Sequence, residues 1–360
     1  MSEPLLEVKN LRVEFAAARD PLSAEVFAAI DDVSFEIGAG ETLGLVGESG
    51  SGKSTLARAI LRLIPAARGQ VLWRGRNLLT MGAQELRSER RNLQLVFQDP
   101  LASLDPRMRI GEILGEPLEI FEPSLSATDR QIRIERMLGK VGLAAEFARR
   151  FPHEFSGGQC QRIAIARAMM PGPRILICDE AVSSLDVSIQ GQIVNLLGDL
   201  QRELGMGMLF ISHNLGVVRH ISRRVLVLFG GSAVELAPRE RLFAAAAHPY
   251  TRALLAATPG AHPQPLAAPA ELLAAEAAPA EQTSGGCVFF DRCIHRAGEC
   301  RISAPRLEQI AELHFVACHR WRQLPAAAPA DEAAAGAALT EFLDDADSAI
   351  LAPMNRRPQP

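Results

Sequence analysis

Residues 42–55 read TLGLVGESGSGKST. An apolar run, Thr42 to Val46, gives way to a glycine-rich loop, Gly47-Glu48-Ser49-Gly50-Ser51-Gly52. Lys53-Ser54-Thr55 then opens KSTLARAILRLI (53–64), whose apolar residues recur at helical spacing. Strand, loop and helix in this order are the context that a phosphate-binding loop requires. The glycines let backbone N–H groups turn inward around phosphate oxygens, and the helix N-terminus adds the positive end of its dipole. Lys53 is placed to reach the β- and γ-phosphates of a nucleoside triphosphate, and the Ser54 hydroxyl to ligate Mg²⁺. Lysine is otherwise scarce: Lys9, Lys53 and Lys140 are its only occurrences in 360 residues. A chain so biased toward arginine places a lysine in this loop because a compact ammonium is needed there.

Outward from the loop, strands and helices alternate. LLEVKNLRVEF, DDVSFEI, VLWRG and NLQLVFQ read as strands, with turn signals such as IGAGE between them. Residues 107–155 read as mostly helical. A helix over QCQRIAIARAMM, the buried strand RILICDE, a helix over VSIQGQIVNLLGDLQRELG and the strands MGMLFISH and RRVLVLFGG follow. This alternation predicts an α/β core around a largely parallel sheet. After about residue 258 the composition shifts. Residues 261–284 are Ala- and Pro-rich and read as a linker, 285–324 as a compact cysteine-bearing segment, and 325–360 as a disordered tail. A net charge of −4 carries no global basic field, so no nucleic-acid partner is expected. The start, MSEPLLEVKN, lacks the pattern of a signal peptide, and no apolar run approaches the ~20 residues of a membrane helix. Work at a membrane is therefore expected to go through partners, in a reducing compartment without disulfides.

Five further features follow the loop in one order. Gln98 ends the strand NLQLVFQ and precedes Asp99-Pro100. Ser156-Gly157-Gly158-Gln159 precedes a helix. Ile175-Leu176-Ile177-Cys178 leads into Asp179-Glu180. Ser184-Leu185-Asp186 comes next, and His213 ends the strand MLFIS. Asp179, at the end of a buried strand, is placed to hold Mg²⁺ through water. Glu180 beside it can polarise an attacking water as general base. Ser156 and Gly158 offer a hydroxyl and backbone N–H groups at a helix N-terminus, a second anion site.

The ordered set resembles the ABC ATPase family throughout residues 5–258. The resemblance implies a RecA-like core, an antiparallel β subdomain and an α-helical signature subdomain at about 100–165, with ATP and Mg²⁺ as ligands. It further implies that Gln98 touches Mg²⁺ and the water, and that His213 bridges the γ-phosphate and Glu180. Ser156, Gly158 and Gln159 are implied to bind the γ-phosphate held by an opposite subunit, so that hydrolysis requires a dimer. An aromatic residue near the N-terminus stacks on adenine in this family. Phe15 is at the matching position, Phe27 is the second choice, and an ordinary core phenylalanine is the plain alternative for either.

The stretches FQDPLASLDPR, FPHEFSGGQCQRIAIARA, ILICDEAVSSLDVSIQGQIVNLL and FISHNLGVVRHISRRVLVL most resemble ATPases of oligopeptide and dipeptide importers. HPYTRALLAATP (248–259) and the segment from Gly286 to Trp321 resemble that branch's later motifs. Asp99 and Cys160 match the second of its two ATPase subunits. The partners implied are a sister ATPase, two integral membrane permease subunits and an extracytoplasmic substrate-binding protein, with this chain peripheral on the cytoplasmic face of the inner membrane. A soluble ABC ATPase, or a cassette for nickel, glycosides or murein peptides, stays open as an alternative. Ala181 stands where the pattern has Pro, Ser184 where it has Ala and Asn214 where it has Asp; Ala181 is expected to loosen the backbone beside Glu180.

Cys287, Cys293, Cys300 and Cys318 are spaced C-x5-C-x6-C-x17-C. Zinc sites favour close CxxC pairs, so zinc is the second reading. Four thiolates in a short loop-rich segment suit a [4Fe–4S] cluster, as some related importer domains are thought to bind. Free thiols are the third reading, with His314 and His319 as alternative ligands. Cys160 and Cys178 are expected to pack as small apolar residues.

Overall fold

Buried and exposed residues alternate along β1 (Leu6–Ala16) and β2 (Val26–Ile37), so each strand turns one face to a core. The computed structural model describes residues 3–16, 26–257 and 285–324. The expected linker at 261–284 and tail at 325–360 lie outside the described residues. β2 runs farther toward the N-terminus than the stretch DDVSFEI suggested. Its first half pairs with the end of β1, Phe15 opposite Phe27, a cross-strand partner that local periodicity cannot show. With β4 (Arg68–Trp73) and β5 (Arg76–Asn77) the two strands form an antiparallel sheet in the order β2-β1-β4-β5.

The second sheet positions the site. Its strands β3 (Thr42–Val46), β7 (Ile175–Asp179), β8 (Gly207–Ile211) and β9 (Arg224–Phe229) are buried along their whole lengths. Apolar runs without alternation belong to strands covered on both faces, which is the parallel-sheet case. Together with β6 (Leu93–Val96) they run parallel in the order β9-β3-β8-β7-β6. One apolar cluster fills the side toward the antiparallel sheet, with Leu6, Ile30, Leu45, Leu56 and Ile177. Another fills the opposite side, with Val46, Cys178, Phe210, Val227 and Tyr250. Cys160 and Cys178 are fully buried.

The helices α1 (Lys53–Ile60), α2 (Ala83–Glu89) and α3 (Pro100–Ser103) follow β3, β5 and β6. The stretch 107–155, read as mostly helical, contains α4 (Ile110–Phe121), α5 (Ala127–Lys140) and short 3₁₀ turns. The Ser126 hydroxyl accepts the Asp129 N–H and starts α5 afresh after the break at Glu122-Pro123. With α6 (Gly157–Met169) these helices bury their own core of Ile110, Leu114, Leu118, Leu138, Cys160 and Ile163, so the signature lies on a separate helical subdomain. Next come α7 (Val187–Leu204), α8 (Leu215–Ile221), α9 (Arg239–Ala245) and α10 (Pro249–Ala257).

The cysteine segment is not detached from the cassette. β10 (Ser232–Pro238) pairs with β9, β12 (His314–Val316) pairs with β10, and β11 (Glu308–Ala311) closes the edge. The parallel sheet thus continues as an eight-stranded sheet, β11-β12-β10-β9-β3-β8-β7-β6. Phe289, 1 % exposed, stacks edge-on against Phe229 at 5.1 Å and lies 5.5 Å from the Tyr250 ring. Residues 285–324 therefore share a core with the described residues of the cassette. Sequence separation concealed the pairing, because β10 and β12 lie on opposite sides of an Ala/Pro-rich stretch.

Candidate active site

The phosphate loop sits between β3 and α1 as read from the sequence. Gly52 has φ 100°, a left-handed conformation open to glycine, and a Cβ there would come within 2.6 Å of the Ala29 carbonyl oxygen. A Cβ on Gly47 would come within 2.2 Å of the Leu228 carbonyl oxygen, so close packing on β9 demands a glycine. Ser49 and Gly50 form the exposed tip. Lys53 is 4 % exposed, and its Nζ donates to the carbonyls of Gly47 at 2.8 Å and Glu48 at 2.7 Å. Burial lowers its pKa, opposed by the negative Glu180, Asp179 and Glu48. The Ser51 hydroxyl is buried inside the loop with no hydrogen-bond partner. A concave loop that holds a buried ammonium and a spare hydroxyl fits the phosphates of ATP.

Across the sheet, β7 delivers its carboxylates to the same place. Ser54 Oγ donates to Asp179 Oδ1 at 2.8 Å, although 125 residues separate them. Asp179 is 3 % exposed; burial raises its pKa, while the Ser54 bond and Arg58 pull it down. A hydroxyl and a carboxylate joined edge to edge are hard oxygen donors of the kind Mg²⁺ takes. Thr55 follows in the first turn of α1.

Glu180 has φ 48°, left-handed and rare for a residue with a side chain. Its carboxylate accepts from Gln98 Nε2 at 3.0 Å and lies 3.8 Å from His213 Nδ1. Gln98 and His213 are themselves exposed. Gln98 and His213, named separately in the sequence, thus converge on the Glu180 carboxylate. Asp99 Oδ1 accepts the N–H groups of Leu101 and Ala102 and caps α3 directly after Gln98. Asn214, in the place of an Asp, caps α8 in the same manner through Gly216 and Val217, so this substitution preserves the turn beside His213. At Ala181 the expected loosening is offset locally. The Glu180 carbonyl accepts both the Ser183 N–H at 3.1 Å and the Ser183 hydroxyl at 3.0 Å.

Ser156 caps α6 in a reciprocal box with Gln159: the hydroxyl accepts the Gln159 N–H, and Gln159 Oε1 accepts the Ser156 N–H at 3.0 Å. Ser156 is exposed, and a Cβ on Gly158 would press within 2.8 Å of Ile189. The signature therefore shares one surface with Asp186 and Val187, which are also exposed. Phe15 and Phe27 are 44 % and 50 % exposed, so neither is a core residue. As cross-strand partners they form an aromatic patch on the antiparallel sheet.

Tyr250 lies 202 residues from Glu48 along the chain. In space its hydroxyl accepts the Glu48 N–H at 2.9 Å, inside the phosphate loop. Arg292, from the cysteine segment, donates to both Glu48 carboxylate oxygens at 2.7 and 2.9 Å. Neither residue was singled out for the nucleotide site. The HPY triplet at 248–250 was the available signal: buried His248 accepts the Tyr250 N–H and fixes the start of α10.

Cys287, Cys293, Cys300 and Cys318 all face one small cavity of about 10 Å³, together with His295 and His319. That volume suits about one water, not a cluster. Among the described residues no group of three or more His, Cys, Asp or Glu side chains is arranged to hold a metal ion. The donors match an iron–sulfur cluster in kind and number, but their present arrangement does not fit one. His314 is committed elsewhere, 2.8 Å from Glu235 Oε1, and does not serve as an alternative ligand. Burial pushes the Cys287 and Cys318 thiols up to about 11 and raises Cys293 as well, so these groups stay protonated at neutral pH.

A phosphate loop facing paired strand-end carboxylates, with a signature helix on its own subdomain, defines an ABC ATPase. Comparison with known proteins agrees. The family model for the ABC transporter matches residues 30–183, and that for the oligopeptide/dipeptide transporter C-terminal region matches 234–300. The chain is 48 % identical to the oligopeptide transport ATP-binding protein OppF of Haemophilus influenzae over 321 residues, covering 88 % of this chain and 97 % of that protein. It is likewise 48 % identical to a probable peptide ABC transporter ATP-binding protein, y4tS, of Sinorhizobium fredii, covering 89 % and 90 %. The solved dimeric structure of MJ0796, a bacterial ABC transporter cassette, superposes with a TM-score of 0.59 at 29 % identity, covering 65 % of this chain and 98 % of that one. The chain belongs to the ABC transporter ATP-binding subunits of the oligopeptide/dipeptide family. No helix among the described residues is long and apolar enough to cross a membrane.

Proposed function

We propose that this chain powers the import of oligopeptides or dipeptides as one half of an ATP-closed dimer. It would sit as a peripheral protein on the cytoplasmic face of the inner membrane. The observation that carries the reading is the Glu180 carboxylate, held in left-handed backbone between Gln98 and His213 and next to the Ser54–Asp179 pair. Lys53 and the N–H groups of Gly47, Ser49, Gly50, Ser51, Gly52, Ser54 and Thr55 take the β- and γ-phosphates. Ser54, Gln98 and Asp179 would hold Mg²⁺, whose chemistry would be to offset charge on the phosphates. Glu180 accepts the proton of the attacking water, whose oxygen bonds to the γ-phosphorus as ADP leaves; His213 orients the γ-phosphate. Phe15 stacks on adenine, with Phe27 as the alternative.

Ser156, Gly158 and Gln159 complete the site of a second cassette. The exposure of Ser156 at a helix N-terminus, beside exposed Asp186 and Val187, supports a face that is finished only by a partner. That partner is a sister ATPase in a heterodimer, joined to two permease subunits and an extracytoplasmic substrate-binding protein. For Cys287, Cys293, Cys300 and Cys318 a [4Fe–4S] cluster is the first reading and zinc the second, on the kind and number of the donors alone. Either ligation requires the side chains to turn and lose their protons. The importer reading is tested by ATP turnover in liposomes. Turnover is expected to rise when the sister ATPase, permease subunits and peptide-loaded binding protein are added. Copurification with ribosomes, and turnover indifferent to the membrane subunits, would overturn it.

A further inference from the structure

The phosphate loop is held from outside by a part of the chain with no place in the nucleotide chemistry. Glu48 is gripped at three points. Its carbonyl accepts Lys53 Nζ at 2.7 Å, its N–H donates to Tyr250 Oη at 2.9 Å, and its carboxylate receives both terminal nitrogens of Arg292 at 2.7 and 2.9 Å. The first grip is the one a bound triphosphate competes for, since Lys53 must turn to the phosphates. The other two are independent of the ligand. Arg292 lies over the rings of Phe229 at 5.3 Å and Phe289 at 5.7 Å, which fixes the direction of its fork. The Arg292 and Glu48 side chains are only 15 % and 24 % exposed, so solvent screens the pair weakly.

We infer that Arg292, with Tyr250 as a second anchor, is a positioning residue for ATP binding, through which the C-terminal module holds the phosphate loop in shape. The inference rests on the ATP-binding reading above. Two effects act together. The fork fixes the loop on the rigid pairing of β9, β10 and β12, so less ordering remains to be done when ATP arrives. It also cancels a carboxylate that would otherwise repel the triphosphate from within the loop.

The test is MgATP affinity of the full chain by calorimetry, with ATPase kinetics in the assembled transporter. Lys53→Ala serves as the control for whether the chain binds ATP at all. Arg292→Ala is expected to weaken ATP binding roughly five- to fiftyfold. KM should rise accordingly, while kcat at saturating ATP changes less than about twofold. Adding Glu48→Gln to Arg292→Ala removes the stranded charge but not the lost anchor, and should restore only part of the affinity. Tyr250→Phe, which keeps the ring, should give a smaller loss in the same direction. Should Arg292→Ala not fold, Arg292→Gln, which keeps the stem over the two rings, replaces it in every arm. Unchanged affinity in the arginine variant overturns the inference, as does full recovery on adding Glu48→Gln, which would leave charge alone and no positioning. Should the parent chain bind ATP no better than Lys53→Ala, the ATP-binding reading itself fails instead.

Discussion

Replacing Glu235 by alanine tests whether cassette and cysteine module form one cooperative unit. Glu235 is fully buried on β10. One carboxylate oxygen accepts the Ala247 N–H at 2.7 Å and lies 2.8 Å from His314 Nε2; the other accepts the His248 N–H at 3.0 Å. Glu235→Ala strands two backbone donors and one imidazole nitrogen in the core. An unsatisfied buried donor costs about 1–3 kcal/mol. Because the groups overlap, the expected total is about 3–6 kcal/mol rather than their sum. At roughly 2–4 °C per kcal/mol for a large domain, melting should fall by about 6–24 °C. The released groups are the turn that starts α10 and the strand β12, which hold Tyr250 and the cysteine module on the phosphate loop. ATP affinity should therefore fall as well. The assay is differential scanning calorimetry of the full chain with and without MgATP, with one shifted transition expected. An unchanged main transition with only a small early one would show that the module folds separately and refute the shared-core argument.

Glu180→Gln should keep the bond from Gln98 and leave stability within about 0.5 kcal/mol, while slowing ATP hydrolysis ~10²–10⁴-fold. Single-turnover assays on the assembled transporter decide this, and near-normal turnover would remove Glu180 as the base. Lys53→Ala should abolish ATP binding in the isolated chain, whereas Ser156→Ala should spare it and damage hydrolysis only in the dimer. Equal losses of affinity in the two isolated variants would sink the shared-site model. Anaerobically purified protein should carry about four irons per chain and absorb broadly near ~400 nm if the cysteines hold one cluster, and Cys293→Ser should bleach it. Zinc without iron would replace the cluster reading, and no metal after reconstitution would leave four thiols.

The cassette was legible in the sequence because its chemistry is written locally. TLGLVGESGSGKST, SGGQ and ILICDE each combine a backbone geometry with a charged group within a few residues. Strands alternating with helices likewise announced an α/β core around a largely parallel sheet. What convergence adds is distance: Gln98, Glu180 and His213 meet only because β6, β7 and β8 lie side by side. The exposure of Phe15 and Phe27 was not readable, since an aromatic residue in an alternating strand suits either face until its cross-strand partner is known. The role of Tyr250 and Arg292 was least accessible. They reach Glu48 across 202 and 244 residues through side chains whose types carry no nucleotide signature. By itself the sequence determined the phosphate loop, the carboxylates and the signature, because a turn, a dipole and a nearby charge need only neighbours in the chain. Only the tertiary structure decided that the cysteine module shares the cassette's core and grips its phosphate loop, because strand pairing and ion pairing across the chain depend on where the sheet's edge comes to lie.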